Sequence, residues 1–262
     1  MNNSAVFDNL QPMFGNTPLV KITCKYKNEV KTIFAKYEAV NFSGSIKDRI
    51  AFAILKDAYQ NNLIKPQQPI VEVTSGNTGI AFTALAKALG HEVKIIMPDW
   101  LSKERYDIIE LYGGEVEKIS AAQGGFIGAL KVAEDYHNTK DYFYPDQFSN
   151  QTNVLAHEAT TGPEIFIQLL KQNLKPDLFV AGVGTGGTVM GVNNYFKKMR
   201  VPCFCHPLEP SNSPTMSTGG KKVGSHRIQG VSDEFIPAIT KLSALNEIVS
   251  VDDGDSIIMA QK

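Results

Sequence analysis

The alternation of apolar strands with helical segments is the feature of this sequence that most limits its fold. Segments at 69–73, 92–97 and 178–183 are predicted to be strands, the last of them strongly apolar, and a segment with helical periodicity follows each of them. Because strands separated by helices pair in parallel, the pattern predicts an open α/β sheet with helices on both faces. A second series of such units follows Tyr142.

Composition and charge exclude several classes of protein. A chain of 262 residues is large enough for one large or two smaller domains, and its net charge is only −1. No basic run argues for a nucleic-acid partner, and no apolar stretch approaches the roughly 18 residues of a membrane span. Residues 1–4 have neither the positive nor the apolar part of a signal peptide, so we expect a cytoplasmic protein.

The three cysteines cannot all pair with one another, so they provide no disulfide framework. Cys203 and Cys205 stand beside His206, which is one pattern of a metal site. Val201, Cys203 and Cys205 also alternate as one face of a strand over 201–206 would. We therefore predict that these cysteines are small buried hydrophobic residues and that the chain has no metal site.

Lys47 is the first candidate for chemistry because it stands between a turn of small residues and the start of a helix. Apolar residues recur after it at helical spacing, so we expect the helix to begin near Ser45 or Ile46. The helix dipole favours an anion in the first turn, such as Asp48, and disfavours a lysine there. Lys47 therefore either has a role other than helix stability or is an ordinary solvated surface lysine.

Two loops of similar design each follow a strand and open a helix, which is where open α/β sheets bind ligands. The loop at 184–188 offers three glycines, two threonine hydroxyls and a helix N-terminus, and phosphate is its natural ligand. The loop at 74–79, which precedes a helix predicted over 80–89, has more side-chain donors. It suits a smaller anion such as a carboxylate.

A dinucleotide site is an alternative for the glycine-rich loop. Gly182, Gly184 and Gly187 match the spacing of a dinucleotide-binding turn, and Glu209 is the acidic residue beyond it. Glu209 lies later than the usual distance of ~20 residues. A dinucleotide site would also leave Lys47 and the 74–79 loop without a role.

Eight blocks of the sequence resemble the cysteine synthase and cystathionine β-synthase family, whose members are pyridoxal-phosphate enzymes of fold type II. The blocks occur in family order along nearly the whole chain, at 15–18, 41–49, 74–79, 97–98, 147–148, 161–164, 184–188 and 228–230. The resemblance implies an α/β fold of two open, mostly parallel twisted sheets with helices on both faces. It also implies two domains, 1–147 and 148–262, with the chain before about residue 40 crossing to the second domain.

The resemblance also implies roles for individual residues. Lys47 is expected to form the Schiff base with pyridoxal 5′-phosphate, and Asn77 to bond the pyridoxal hydroxyl. The residues expected to hold the cofactor phosphate are Gly184, Thr185, Gly186, Gly187 and Thr188. Those expected at the substrate are Asn77, Gly230 and the four that take its carboxylate, Thr74, Ser75, Thr78 and Gln147.

The implied reaction is β-elimination or β-replacement on cysteine or O-acetylserine through an aminoacrylate intermediate. The residue types agree with this reaction, because a lysine amine forms an imine with an aldehyde and can then act as a base. A partly desolvated site lowers the lysine pKa for that role. The resemblance implies a small amino-acid substrate and a homodimer.

The segment after Gln229 and Gly230 departs from the family pattern. Members that make cysteine usually have small, glycine-rich residues there, whereas this chain has Asp233 and Glu234. If Asp233 faces the pocket, it repels a hydrosulfide anion and can act as a general base toward water. That arrangement favours a lyase that consumes L-cysteine and releases hydrogen sulfide, with water or a thiol adding afterwards. A solvated Asp233 would have no such role.

The end of the sequence is a second departure. Residues 256–262 are typical of the opening of a helix, and family members continue for several tens of residues through a segment that bonds the pyridine nitrogen. No residue here can be assigned that role, so we expect the second domain to be incomplete at its end. A further alternative is a non-catalytic family member whose 74–79 loop binds the C-terminal carboxylate of a partner protein.

Overall fold

Two three-stranded parallel sheets and one antiparallel hairpin make up the β structure of residues 3–261, the part of the chain that the computed structural model describes. The hairpin consists of β1 (Leu19–Tyr26) and β2 (Glu29–Lys36). The first sheet has the order β3 (Ile70–Val73), β4 (Val93–Pro98), β5 (Glu115–Ile119). The second has the order β6 (Leu178–Gly182), β7 (Phe204–Pro210), β8 (Val249–Val251). The predicted parallel pairing is confirmed.

The helices connect these strands in the alternation that the sequence predicts. They are α1 (Asn3–Leu10), α2 (Lys47–Gln60), α3 (Asn77–Ala88), α4 (Lys103–Leu111), α5 (Gly125–Lys140), α6 (Gln151–Ala159), α7 (Thr161–Leu170), α8 (Gly187–Lys198) and α9 (Asp253–Ala260). Among the described residues, no helix is both long enough and apolar enough to cross a membrane.

Helices cover both faces of the first sheet because its strands are apolar on both sides. Ile70 and Ile95 belong to a core cluster with residues of α2 and α3. Val71 and Ile96 point the other way, into a cluster with residues of α5. Burial on both faces explains why β3 and β4 lack a regular apolar and polar alternation, although each includes one charged residue, Glu72 or Lys94.

The second sheet differs between its two faces. The cluster on one face contains residues of α7 and α8, and Leu19 and Phe34 of the hairpin pack against it. On the other face Leu178, Val180 and Phe204 are exposed, with Leu178 58% accessible. The hairpin near the N-terminus therefore contacts the core of the second sheet, while the predicted domain boundary near residue 147 stays a prediction.

Two of the elements predicted above begin three residues away from the sequence expectation. The helix predicted from residue 80 begins at Asn77, so it includes the end of the 74–79 loop. The strand predicted from Val201 begins at Phe204, whose N–H donates to Asp177 O to open the ladder, whereas the Val201 N–H closes the preceding helix on Phe196 O.

Only one of the two neighbouring cysteines therefore lies in the strand. Cys205 is buried in the core of the second sheet, and Cys203 precedes the strand and is half-buried. The prediction that Val201 and Cys203 lie in this strand is wrong, although both side chains pack against the core cluster that contains Cys205. Among residues 3–261 no three His, Cys, Asp or Glu side chains come together as metal ligands would.

Candidate active site

One pocket lies where the loops after β3 and β6 meet the start of α2. Most of the residues singled out in the sequence line it. They are Lys47, Thr74, Ser75, Asn77, Thr78, Gln147, Gly184, Thr185, Gly230 and Asp233, joined by Arg105, Phe148 and Gln229. Gly186, Gly187 and Thr188 lie just beyond the lining, at the start of α8. The chain therefore brings together groups that are far apart in sequence.

Lys47 is the first residue of α2, and the turn before it is closed by the next residue, Asp48. The Asp48 carboxylate accepts hydrogen bonds from Ser43 N (2.9 Å), Ser43 Oγ (2.6 Å) and Ser45 N (3.2 Å). The Lys47 N–H donates to Ser45 Oγ at 3.2 Å. The anion favoured by the helix dipole thus fixes the turn, and Lys47 is free to line the pocket.

The environment of Lys47 favours its uncharged form. Burial lowers the pKa of the Lys47 amine, and the attraction of Asp233 opposes this shift without overcoming it. Lys47 is half-buried and lies in the pocket, so it is not a solvated surface lysine. An uncharged lysine amine can act as a nucleophile or a base.

A buried ion-pair cluster holds α2 in place two residues after Lys47. The guanidinium of Arg49, which is 3% exposed, donates to Glu38 (Nε to Oε2, 2.8 Å) and to Glu164 (Nη2 to Oε2, 2.7 Å). Lys36 also pairs with Glu164, at 2.8 Å. The cluster joins the hairpin, α2 and α7, so it ties the lysine-bearing helix to the second half of the chain.

The 74–79 loop is fixed by its own hydrogen bonds. Thr74 Oγ1 accepts from Gly76 N at 2.9 Å, and Thr78 Oγ1 donates to Gln147 Oε1 at 2.8 Å. The Gln147 amide in turn donates to Val73 O at 2.7 Å. These three polar side chains are nearly fully buried, and Asn77 stands exposed at the rim.

Glu72 is a buried carboxyl group beneath this loop that was not identified from the sequence. It is 0% exposed, and it accepts hydrogen bonds from Val73 N (2.8 Å) and Gln147 N (3.3 Å). Burial raises its pKa well above the ordinary value, because the charged form is poorly solvated there. A glutamate inside an apolar strand was the signal that could have revealed it.

The glycine-rich loop is packed so closely that side chains would not fit. A Cβ atom at Gly187 would overlap Asn153 Oδ1, and one at Gly184 would overlap Gly230 O. Gly186 has φ +82°, which favours glycine, and a Cβ there would overlap Thr240 Oγ1. Within residues 3–261, the N–H groups of 184–186 donate to no protein acceptor. Free N–H groups at the start of α8 suit an anion such as a phosphate.

His157 lies behind the glycine-rich loop and links it to α7. Its Nδ1 lies 2.8 Å from Thr161 Oγ1, and its Nε2 lies 3.2 Å from Thr188 Oγ1. Burial lowers the pKa of His157 to about 3, and the positive charges of Arg49 and Lys47 add to the shift. The imidazole is therefore neutral at physiological pH, and both ring nitrogens have partners.

Asp233 faces the pocket. It lines the inner pocket with Lys47, and it also lines a larger outer recess beside Trp100 and Phe126. Burial raises the pKa of the Asp233 carboxyl to about 6, and Lys47 limits this rise. The carboxylate thus stands between the outer recess and the lysine, where a general base for an entering molecule is useful.

The comparisons with known proteins identify the family. Residues 10–262 match the model of the pyridoxal-phosphate dependent enzymes, and this chain belongs to that family. It is 36% identical over 255 residues to a cysteine synthase from Staphylococcus aureus, covering 97% of this chain and 81% of the relative.

The structure is also similar to that of a hydrogen sulfide-producing enzyme from Fusobacterium nucleatum. The TM-score is 0.95 at 50% identity, over 99% of this chain and 78% of that one. The structure of a variant of that enzyme, in which an aspartate is replaced by asparagine, contains an α-aminoacrylate intermediate. The present structure matches it with a TM-score of 0.94 at 49% identity, over 97% of this chain and 77% of that one.

The family membership confirms the predicted cofactor, pyridoxal 5′-phosphate, and the predicted enzyme class. The dinucleotide alternative is wrong. Its acidic residue, Glu209, is buried and accepts hydrogen bonds from Met216 N (2.7 Å) and Ser217 N (3.3 Å), so it orders a loop.

Proposed function

We propose that this enzyme carries out β-elimination and β-replacement on L-cysteine and releases hydrogen sulfide. The observation that carries the proposal is the position of Asp233 in the same pocket as Lys47. A carboxylate there disfavours the hydrosulfide anion by charge repulsion and offers a base to water. The similarity to a hydrogen sulfide-producing enzyme supports this direction, and the similarity to a cysteine synthase supports the same type of chemistry.

The residues of the pocket fit the cofactor. Lys47 is the residue that would bond it covalently, the backbone of 184–188 would hold its phosphate, and Asn77 would bond its hydroxyl. When bound, pyridoxal phosphate supplies an electron sink for bond breaking at the α-carbon of the substrate. The free N–H groups and the glycine-only packing of the loop support this assignment.

Two side chains, Lys47 and Asp233, accept protons at different steps of the proposed mechanism. The uncharged Lys47 amine takes the proton from the substrate α-carbon, after which the thiolate leaves the β-carbon. Asp233, as a carboxylate, takes a proton from the water whose oxygen then adds to the β-carbon, and Lys47 returns its proton to the α-carbon, which gives serine. The proton held by Asp233 passes through solvent to the departed hydrosulfide, so that cysteine and water give serine and hydrogen sulfide. We expect the substrate carboxylate to bind at the 74–79 loop, near Thr74, Ser75, Thr78 and Gln147, in the pocket that Gly230 also lines.

The test is sulfide release from L-cysteine by the loaded enzyme, with Asp233→Asn compared against Glu234→Gln. Glu234 is an exposed neighbour that lines only the outer recess, so its variant controls for the loss of one negative charge. We expect Asp233→Asn to lower the rate at least about 100-fold and Glu234→Gln to change it less than about threefold.

Three results would count against the proposal. Undiminished sulfide release by Asp233→Asn would remove the catalytic role of Asp233. No sulfide from L-cysteine, together with cysteine formed from O-acetylserine and sulfide, would assign the cysteine synthase direction. A loaded protein that turns over no amino acid would favour the non-catalytic, partner-binding alternative.

A homodimeric state and a cytoplasmic location are also proposals, supported only by the family resemblance and by the sequence. The division into domains at residue 147 has the same standing. Sedimentation velocity of the loaded enzyme measures the oligomeric state directly, and a monomer at micromolar concentration would contradict the homodimer.

A further inference from the structure

Arg105 is a cation of the pocket that the proposed mechanism leaves without a role. It extends from α4 to the inner pocket, where it lines the same cavity as Lys47 and Ser75. Its Nη1 donates to the backbone oxygen of Ser75. The guanidinium lies directly over Gly76, where any Cβ atom would overlap it. Arg105 therefore covers the middle of the 74–79 loop.

Arg105 has no ion-pair partner among the described residues, in contrast to three other cations that are withdrawn from solvent. Arg49 and Lys36 pair with Glu164, and Lys94 pairs with Glu115. No carboxylate of the described residues forms an ion pair with Arg105, and burial alone lowers its pKa. A half-buried charge without a partner is unfavourable unless a ligand supplies the opposite charge.

The donors of the loop beneath Arg105 are all uncharged. The hydroxyl of Thr78 donates to Gln147, whereas Thr74 Oγ1 accepts from Gly76 N and keeps its own O–H for another acceptor. An anion at this loop would therefore find backbone N–H groups and the side chains of Thr74, Ser75 and Asn77, none of which carries a positive charge. The guanidinium supplies the missing positive charge, and its planar set of N–H groups matches a carboxylate.

We infer that Arg105 binds the α-carboxylate of the amino-acid substrate and so makes the enzyme selective for substrates in which that carboxylate is free. The inference rests on the proposed function in taking the ligand to be an amino acid. It adds a specificity-determining residue, on a separate helix, to the loop that the family resemblance assigns to the substrate. Esters, amides and decarboxylated analogues of the substrate lack the charge that Arg105 recognises.

The test uses the only tryptophan of the sequence as a reporter. Trp100 lines the outer recess, which shares Ser75 with the inner pocket. L-alanine and L-alaninamide are titrated into the pyridoxal-phosphate-loaded enzyme, and Trp100 fluorescence and cofactor absorbance are followed. L-alanine has no leaving group, so binding is measured without sulfide chemistry, and a failure of the proposed function leaves this result readable.

We compare Arg105→Met with Lys103→Met, which removes an exposed charge from the same helix. Arg105→Met is expected to weaken L-alanine binding about 10–100-fold and L-alaninamide binding less than about twofold. Lys103→Met should change neither by more than about twofold. Arg105→Lys keeps the charge, and we expect it to recover part of the L-alanine affinity.

The inference is overturned if Arg105→Met binds L-alanine as the unchanged enzyme does. It is also overturned if the variant loses affinity for both ligands equally, because that pattern belongs to a residue that only supports the loop. Circular dichroism of each variant identifies a folding defect. If Arg105→Met does not fold, the affinities of Arg105→Lys for L-alanine and L-alaninamide test the inference instead: a loss for L-alanine alone supports it, and an equal loss for both contradicts it.

Discussion

Lys47 and Asp233 show which electrostatic effect prevails in the pocket at the scale of single residues. Their opposite charges attract, which would raise the pKa of the lysine and lower that of the aspartate. The pKa of Lys47 is instead lowered and that of Asp233 is raised, because the loss of hydration on burial is the larger effect for each group. The pocket thus holds an amine with a lowered pKa and a carboxyl group with a pKa of about 6.

The pH dependence of sulfide release follows from Asp233. The proposed base is the carboxylate, and the pKa of about 6 means that the carboxylate predominates above that pH. We expect kcat/KM to rise about tenfold per pH unit below pH 6 and to level off above it. A pH profile of Asp233→Asn should lack this limb, and a limb that persists in the variant would assign it to another group.

His157 is expected to position the proposed phosphate loop through Thr188. The pKa of about 3 keeps the ring neutral, so it orders the hydroxyl without adding charge. His157→Asn should weaken pyridoxal-phosphate affinity about 2–10-fold, measured by equilibrium dialysis, because a hydrogen bond of this kind contributes about 0.5–1.5 kcal/mol. His206→Asn is the control, since buried His206 bonds Glu247 O instead. An equal loss in both variants would show a general packing effect.

At the scale of elements, periodicity was enough to locate the strands and helices that carry the site. The loops at 74–79 and 184–188 are recognisable in the sequence because each connects a predicted strand to a predicted helix and consists of small and polar residues. Arg105 could not be recognised in this way. It reaches the 74–79 loop from a helix about thirty positions later, and no local sequence pattern indicates such a contact. The start of β7 was misplaced because alternation of Val201 and Cys203 continues through an irregular segment.

The glycine-rich loop gives a prediction at this scale. Gly187→Ala would place a Cβ atom against Asn153 Oδ1, so the loop must open and the cofactor affinity should fall at least about tenfold. Gly219→Ala is the control, because Gly219 has φ +62° but no atom within 4 Å of its Cβ position. The control should lose about 1–2 kcal/mol of stability and keep the cofactor. Full cofactor affinity in Gly187→Ala would contradict the assignment of this loop.

At the scale of the whole molecule, the ion-pair cluster around Arg49 joins the hairpin, α2 and α7, and no single core cluster of the described residues contains all three elements. Glu164 of α7 also accepts a hydrogen bond from Asn16 N at 2.8 Å, so the N-terminal segment is held by the same group. The sequence predicted the fold class through its alternation and its family blocks. It did not predict this cluster, because the pair of Arg49 and Glu164 spans 115 residues and ionic partners have no periodicity.

Removing Glu164 should therefore destabilise the molecule. Glu164→Gln leaves Arg49 and Lys36 with less counter-charge in a largely buried site, and we expect a loss of about 3–5 kcal/mol in the free energy of unfolding at pH 7. Denaturant unfolding measures it. Asp107→Asn is the control, since it breaks an exposed pair with Lys103 and should cost less than about 1 kcal/mol.

The same pair of proteins tests the pH dependence of stability. The positive partners hold the pKa of Glu164 at about 2, below its ordinary value of 4.5. A carboxyl group with a lowered pKa in the folded state stabilises above the ordinary value and loses that effect as the pH falls. The stabilities of the unchanged protein and Glu164→Gln should therefore converge between pH 4.5 and about 2. A constant difference down to pH 2 would contradict this origin.

Lys47, Asp48 and Arg49 are three consecutive residues with three separate tasks: the pocket, the turn and the ion-pair cluster. Neighbouring side chains on a helix point about 100° apart, so the three tasks use three directions around one axis. An insertion or deletion of a single residue between Ile46 and Arg49 would rotate the residues after it by about 100° relative to those before it, so the three side chains could not all reach their targets. We therefore expect this helical turn to tolerate no change in chain length.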